Sequence, residues 1–180
     1  NAIMQHQADL GSDLSVLLIR EINRAIEIDL GESRSPGNFR EMDLEITGAK
    51  FSPTSWPNVL PSVEAMCSQL ESSTAHAIVM GCWAHWALSH IHPFENGNGR
   101  TARMVQDFFL IRAGFMPVGI PAARKGLYYE ALEHADTESD LNPLIEIVAD
   151  SQISALQRAR EIALAPIEST KRIRGLLDRM

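Results

Sequence analysis

One run of residues gathers most of the side chains able to do chemistry: His92-Pro93-Phe94-Glu95-Asn96-Gly97-Asn98-Gly99-Arg100-Thr101-Ala102-Arg103. Its glycines, Gly97 and Gly99, let the backbone come close to a ligand. The helix expected to follow presents unpaired N–H groups at the positive end of its dipole, so the turn reads as an anion site with phosphate as its guest. Arg100 and Arg103 are three apart and share a helix face, where both guanidinium forks can reach one polyphosphate. His92, upstream in a loop that curls round a phosphate, can take the proton of a hydroxyl attacking that phosphate. Phe94 reads as an apolar anchor pinning the loop to the core.

Each feature has a plainer reading. A glycine pair is often only a turn, a lone histidine is usually packed or solvated, and arginine pairs are often surface charge; their joint occurrence separates this run from the rest of the chain. His90 and His92 also admit a metal-hydrolase reading with His85 as third ligand, if the helix ended favourably. Trp83 and Trp86 read as core, as do Cys67 and Cys82, and His6, His76 and His134 as solvated or structural.

The elements that must position this loop are mostly helical. Leu14, Leu17, Leu18, Ile22, Ala25 and Ile26 recur at helical spacing over 12–30, with Ser12 as cap and Gly31 just past the end. Residues 35–38 form a turn. Met42, Leu44 and Ile46 then alternate with polar residues at strand period, Gly48 reverses the chain, and Lys50 and Phe51 return it. Pro53 and Pro57 keep this hairpin small, an exposed flap. Further helices are expected over 63–70, 75–88, 100–112, 127–134 and 141–164, with Pro166 ending the last. The 75–88 segment is apolar round most of its circumference and should be the central helix. Lys171, Arg172, Arg174 and Arg179 outnumber Glu168 and Asp178 in a basic helical tail over 166–180, which can lead to a segment outside this chain.

The 180 residues, 45% hydrophobic and 22% charged, suit one globular domain over 1–165 followed by that tail. A formal charge of −7 argues against nucleic acid as a partner, so any anion site is local. Two cysteines cannot make a disulfide scaffold and suggest a reducing compartment. With no run of about 18 apolar residues and no signal-peptide order, no membrane partner is expected and the localisation expected is cytoplasmic.

At the motif itself the chain resembles the Fic family, whose pattern His-x-Phe-x-Asp/Glu-Gly-Asn-Gly-Arg-x-x-Arg is met at every defined position but Asn96. The likeness extends over about 14–164, through a Pro-Gly-x-Phe-Arg turn at Pro36 to Arg40 and a Tyr-Tyr-x-Ala-Leu segment at Tyr128 to Leu132. It implies a mainly α fold, a helical bundle with a short β-hairpin flap beside the active-site loop. It implies transfer of AMP from ATP to a Ser, Thr or Tyr hydroxyl of a target protein, with pyrophosphate released. By that resemblance His92 is the general base. Asn98 and the backbone of Gly97 and Gly99 hold the inner phosphates, and Arg100 and Arg103 the outer ones. The flap, Ile46, Thr47, Gly48, Ala49, Lys50, Phe51 and Ser52, holds the target segment by strand addition. Tyr128 or Tyr129 lies near the adenine.

Magnesium is the implied ion, and Asn96 stands where AMP-transferring members carry its carboxylate; Glu95 is the neighbouring candidate ligand. Gly99, where a phosphorylating branch has lysine, favours the AMP orientation. UMP or phosphocholine transfer, and a nucleotide-binding regulatory module with little turnover, are the alternatives. The resemblance also brings an inhibitory helix or antitoxin protein as a partner, though no Ser/Thr-x-x-x-Glu-Gly/Asn motif occurs in these residues. A homodimer is left open.

Overall fold

The computed structural model describes residues 13–30, 33–46 and 50–177, without the side chains of Asp29 and of residues 165–177. Among the described residues the α-helices are α1 Val16–Leu30, α2 Val59–Glu71, α3 Ala77–Ile91, α4 Asn98–Arg112, α5 Lys125–Glu138 and α6 Asn142–Leu177. Ser12 and Gly31, the expected cap and stop of the first helix, lie outside the described residues. So do Asp178 and Arg179.

α3 is the central helix. It packs against α2, α4, α5 and α6, and Cys82, Ala84, His85, Leu88 and Ile91 are all buried. Its closest neighbour is α4. A side chain at Gly81 would lie 3.1 Å from the Gln106 carbonyl oxygen of α4, so the absent Cβ lets the two backbones approach. The helix begins at Ala77 because the Nδ1 of His76 accepts from the Ile78 N–H at 3.2 Å, a cap the spacing alone did not mark.

Two hydrophobic clusters flank α3. Leu18, Ile19, Val63, Leu88, Val105 and Phe108 join α1 and α2 to α3 and α4 on one side. Cys82, Leu110, Tyr128, Leu144 and Val148 join α5 and α6 on the other. Trp83 and Trp86 pack, partly buried, against this core.

Two expectations change. No described residue is in a strand: 43–46 has no regular structure and Lys50 and Phe51 sit in a bend. Thr47, Gly48 and Ala49, the expected turn of the flap, lie outside the described residues. An isolated two-stranded ribbon is marginal, and the chain leading into it is bonded elsewhere, the Arg40 N–H donating to the Pro93 carbonyl at 2.9 Å. Pro166 does not end the last helix, since α6 runs on to Leu177. The N–H that proline lacks would have reached the carbonyl of Ile162, an exposed residue whose carbonyl water can satisfy. No described helix is long and apolar enough to cross a membrane.

Candidate active site

The loop between α3 and α4 is built from two left-handed residues. His92 caps α3 at φ 52° and ψ 58°, a conformation uncommon for a residue with a Cβ, and Gly97 caps the start of α4 at φ 78°. Strain at His92 persists only if its surroundings fix it, and Arg40 does so. Its Nε donates to the His92 carbonyl at 2.8 Å, its Nη1 to Met42 at 2.8 Å and its Nη2 to Ile91 at 3.4 Å, with Thr54 as a further acceptor. This buried cation thus sits at the negative end of the α3 dipole. Burial, the largest influence on it, lowers its pKa from the usual arginine value.

Asn23 of α1 holds the loop from beneath. Its Oδ1 accepts from Gly37 N–H at 2.9 Å, and its Nδ2 donates to the Asn96 carbonyl at 3.0 Å and to Thr101 Oγ1 at 3.2 Å. Gly97 is packed against the same helix: a Cβ there would lie 2.4 Å from Glu27 Oε1. Phe94 is fully buried, its ring 5.3 Å from that of Phe39, as an anchor should be. The Asn98 side chain is closed on the backbone of Phe94, accepting from its N–H at 2.9 Å and donating to its carbonyl at 2.8 Å. What Asn98 and Gly99 offer a ligand is therefore the first turn of α4, whose N–H groups have no partner within the helix.

The His92 ring faces a cavity of about 480 Å³ with Ile46, Lys50, Phe51, Gly99 and Tyr129 on its walls. Its Nδ1 lies 3.3 Å from the Ser89 carbonyl, which can only accept, so Nδ1 carries the proton and Nε2 keeps its lone pair. Burial lowers the imidazole pKa, outweighing the Ser89 contact, and the Arg40 charge lowers it further. A neutral base results. A Cβ at Gly99 would meet only Arg103 Nη1, at 3.6 Å, so the protein itself leaves that space open.

A second cavity, about 710 Å³, is lined by Arg100, Arg103, Asp107 and Lys125 and shares Tyr128 and Tyr129 with the first. Arg100 Nη2 lies 3.1 Å from Oε1 of Glu27, a fully buried carboxylate; the contact is ionic and neither oxygen accepts an aligned hydrogen bond. Burial raises the Tyr128 phenol pKa, and against it Arg103 lies near enough to the hydroxyl to favour its ionised form. Tyr128 is buried, whereas Tyr129 is exposed with Lys125 Nζ 5.7 Å from its ring centre. Asp107 accepts from Val118 N–H at 2.9 Å, and burial pushes its carboxyl up to about 6, opposed by that bond and by the Arg103 charge.

The metal-hydrolase reading of the histidines fails. His85 is fully buried with both ring nitrogens engaged, Nδ1 with Gln106 Oε1 and Nε2 with Tyr128 Oη, each at 2.8 Å. His90 Nδ1 instead meets Asp136 Oδ1 at 2.8 Å, and its ring stacks on Phe51 at 4.8 Å. No group of three or more His, Cys, Asp or Glu among the described residues can hold a metal ion. Glu95 lines a third cavity, with Arg20, Asn38 and Trp56, away from His92 and both motif arginines. Asn96 is exposed on the loop. Cys67 and Cys82 are unpaired thiols that burial pushes up to about 11 and about 12, so neither is a nucleophile.

Sequence reasoning missed Asn23, Glu27 and Asp107, and saw Arg40 only as part of a turn. The available signal was polarity out of place: Asn23 and Glu27 are one helical turn apart on α1, and both are buried.

Residues 13–110 match the Fic/DOC family model. Protein adenylyltransferase Fic of Drosophila melanogaster is 33% identical over 141 residues, which cover 77% of this chain and 28% of that protein. The chain thus spans less than a third of that relative. Among solved structures, a Fic-1 fragment of C. elegans superposes with a TM-score of 0.73 at 27% identity, over 84% of this chain and 44% of that one. A Fic-domain signaling protein of Bacteroides thetaiotaomicron gives a TM-score of 0.76 at 24% identity, over 87% of this chain and 66% of that one, a likeness of fold.

Proposed function

The chain belongs to the Fic/DOC family, and from that premise we propose that it transfers AMP from ATP to a Ser, Thr or Tyr hydroxyl of a target protein, releasing pyrophosphate. The observation that carries this reading is the juxtaposition of a neutral His92 with the start of α4, in a cavity that shares Tyr128 and Tyr129 with the cavity of Arg103. In this reading Nε2 of His92 accepts the target hydroxyl proton as the oxygen attacks the α-phosphorus and the bond to the pyrophosphate leaving group breaks. Backbone N–H groups of Asn98 and Gly99 hold the inner phosphates. Arg103 and Arg100 hold the outer ones, and charge neutralisation with positioning supplies the rate. The relatives named protein adenylyltransferase support AMP as the group moved.

The exposed Tyr129 is better placed than the inward-bonded Tyr128 to cover an adenine. The target segment runs along 46–52, where Phe51 is fixed by His90 and Lys50 by Glu133. Magnesium, when bound, would neutralise phosphate charge; Asn96 would offer it only a neutral amide, and Glu95 faces another cavity. That poor donor set favours a second reading, a nucleotide-binding regulatory module of low turnover. An inhibitory helix or antitoxin, a homodimer and a cytoplasmic address belong to this proposal too, the last resting on the two free thiols.

Incubation with α-labelled and, separately, γ-labelled ATP and a lysate tests the reading. We expect covalent protein label from the α-position only. Label from the γ-position alone overturns it, and nucleotide binding without any label favours the regulatory module.

A further inference from the structure

Behind Arg103 lies a chain of three buried polar side chains that the transfer chemistry does not use: Tyr128 of α5, His85 of α3 and Gln106 of α4, at 4%, 0% and 1% exposure. Burying three polar groups, Tyr128 among them against Cys82, Leu110 and Leu144, is costly unless each finds a partner. A self-contained cluster would satisfy that need and end there. This one ends on a hydroxyl that shares a cavity wall with the Arg103 guanidinium.

The direction of every bond in it is fixed by the groups themselves. Gln106 Oε1 can only accept, so His85 Nδ1 carries the proton between them. Burial pushes His85 down to about 4, so the ring is neutral and Nε2 accepts. The Tyr128 hydroxyl must then donate to Nε2 at 2.8 Å. Its remaining lone pairs are left for another donor, and Arg103, which lines the same cavity as Tyr128, can only donate. All the donors point the same way, and each bond polarises the next, making the tyrosine oxygen a stronger acceptor than an isolated phenol. No charge enters the chain, unlike the buried Glu27 carboxylate beside Arg100. Asp107, accepting from Val118 N–H, is the other charged neighbour.

We propose that Tyr128 and His85 are positioning residues for the Arg103 guanidinium: the relay from Gln106 through His85 to the Tyr128 hydroxyl sets where Arg103 meets the outer phosphates of the nucleotide. α5 packs on α3 and α6, so this relay ties the cavity wall that α5 provides to the arginine that α4 provides. The ligand half of the proposal rests on the ATP reading above; the relay itself does not.

The test therefore has a ligand-free arm and a binding arm. In protein labelled with ¹⁵N-arginine, the Arg103 Nε–H resonance should move toward that of a solvated arginine in Tyr128→Phe and also in His85→Leu/Tyr128→Phe. The second variant removes both partners of one buried bond, so it serves if the first does not fold. An unmoved resonance overturns the relay whether or not nucleotide binds. In calorimetry, Tyr128→Phe should weaken a non-hydrolysable ATP analogue by roughly tenfold, the scale of a lost hydrogen bond to a charged group. AMP, lacking outer phosphates, should lose far less, since the ring itself remains. In the Arg103→Ala background Tyr128→Phe should add nothing, because the two residues act through one contact. Equal losses for AMP and the ATP analogue, or losses that add in the double variant, would overturn the positioning role. A wild-type protein that binds no nucleotide, with the resonance shift intact, sinks the ATP reading and leaves the relay standing.

Discussion

The state of the His92 ring is set by subtraction. The ring is neutral because burial and Arg40 disfavour the imidazolium, and its Nε2 keeps its lone pair because Nδ1 holds the proton that it donates to the Ser89 carbonyl. A lowered pKa means that the free base persists below the ordinary histidine range, so the acid limb of the transfer rate should fall below pH 6.5, the usual histidine value. His92→Ala should lower transfer by about 10²–10⁴ while a non-hydrolysable ATP analogue binds within a fewfold. Comparable loss of binding would make His92 a structural cap. Asn96 supplies the second residue-scale test. Asn96→Asp adds a charged oxygen where the motif has an amide, so the magnesium concentration giving half-maximal transfer should fall. An unchanged requirement would remove the ion from this loop.

At the scale of elements, the start of α4 is where three helices and a turn are locked together, with Asn23 spanning the Pro36–Gly37 turn, the loop and Thr101. Gly97 is the tightest point, needing both a positive φ and the absence of a Cβ that would press on Glu27 Oε1. Gly97→Ala should therefore lower unfolding free energy by at least about 1–3 kcal/mol, the range for a residue forced into a sparsely populated conformation. Urea titration reads this directly, and a variant as stable as the parent would mean that α1 and the loop are not packed this closely. The same substitution should blunt nucleotide binding, because the N–H groups of α4 are aimed from that cap.

For the whole molecule, two buried groups pull stability in opposite directions with pH. His85 is held down at about 4, so the folded protein refuses a proton that the unfolded chain takes below pH 6.5, and this stability is lost as pH falls from 6.5 toward 4. Asp107 is held up at about 6, so the folded protein keeps a proton that the unfolded chain releases above 3.8, and this stability is lost as pH rises from 3.8 toward 6. Over the shared window the two nearly cancel. Asp107→Asn keeps an acceptor for Val118 N–H but removes the opposing limb. Stability should then rise with pH in that window by about 1.4 kcal/mol per unit more steeply than in the parent. Chemical denaturation at a series of pH values measures it, and parallel profiles would refute the assignment.

The family motif, the helical class and the central helix were legible from residue order alone, because glycine turns, motif spacing and helical periodicity are properties of neighbours in the chain. The anchor Phe94 and the apolar circumference of α3 follow from the same local logic. Tertiary structure alone decided which side chains line which cavity. Asn98 turned inward onto Phe94, Glu95 went to a different cavity from His92, and His85 became the middle of a buried relay rather than a metal ligand. It also brought Glu27 to Arg100 across 73 positions of sequence. Adjacent residues in a loop can point to opposite sides, and a buried polar group is explained only by partners that packing delivers from other helices.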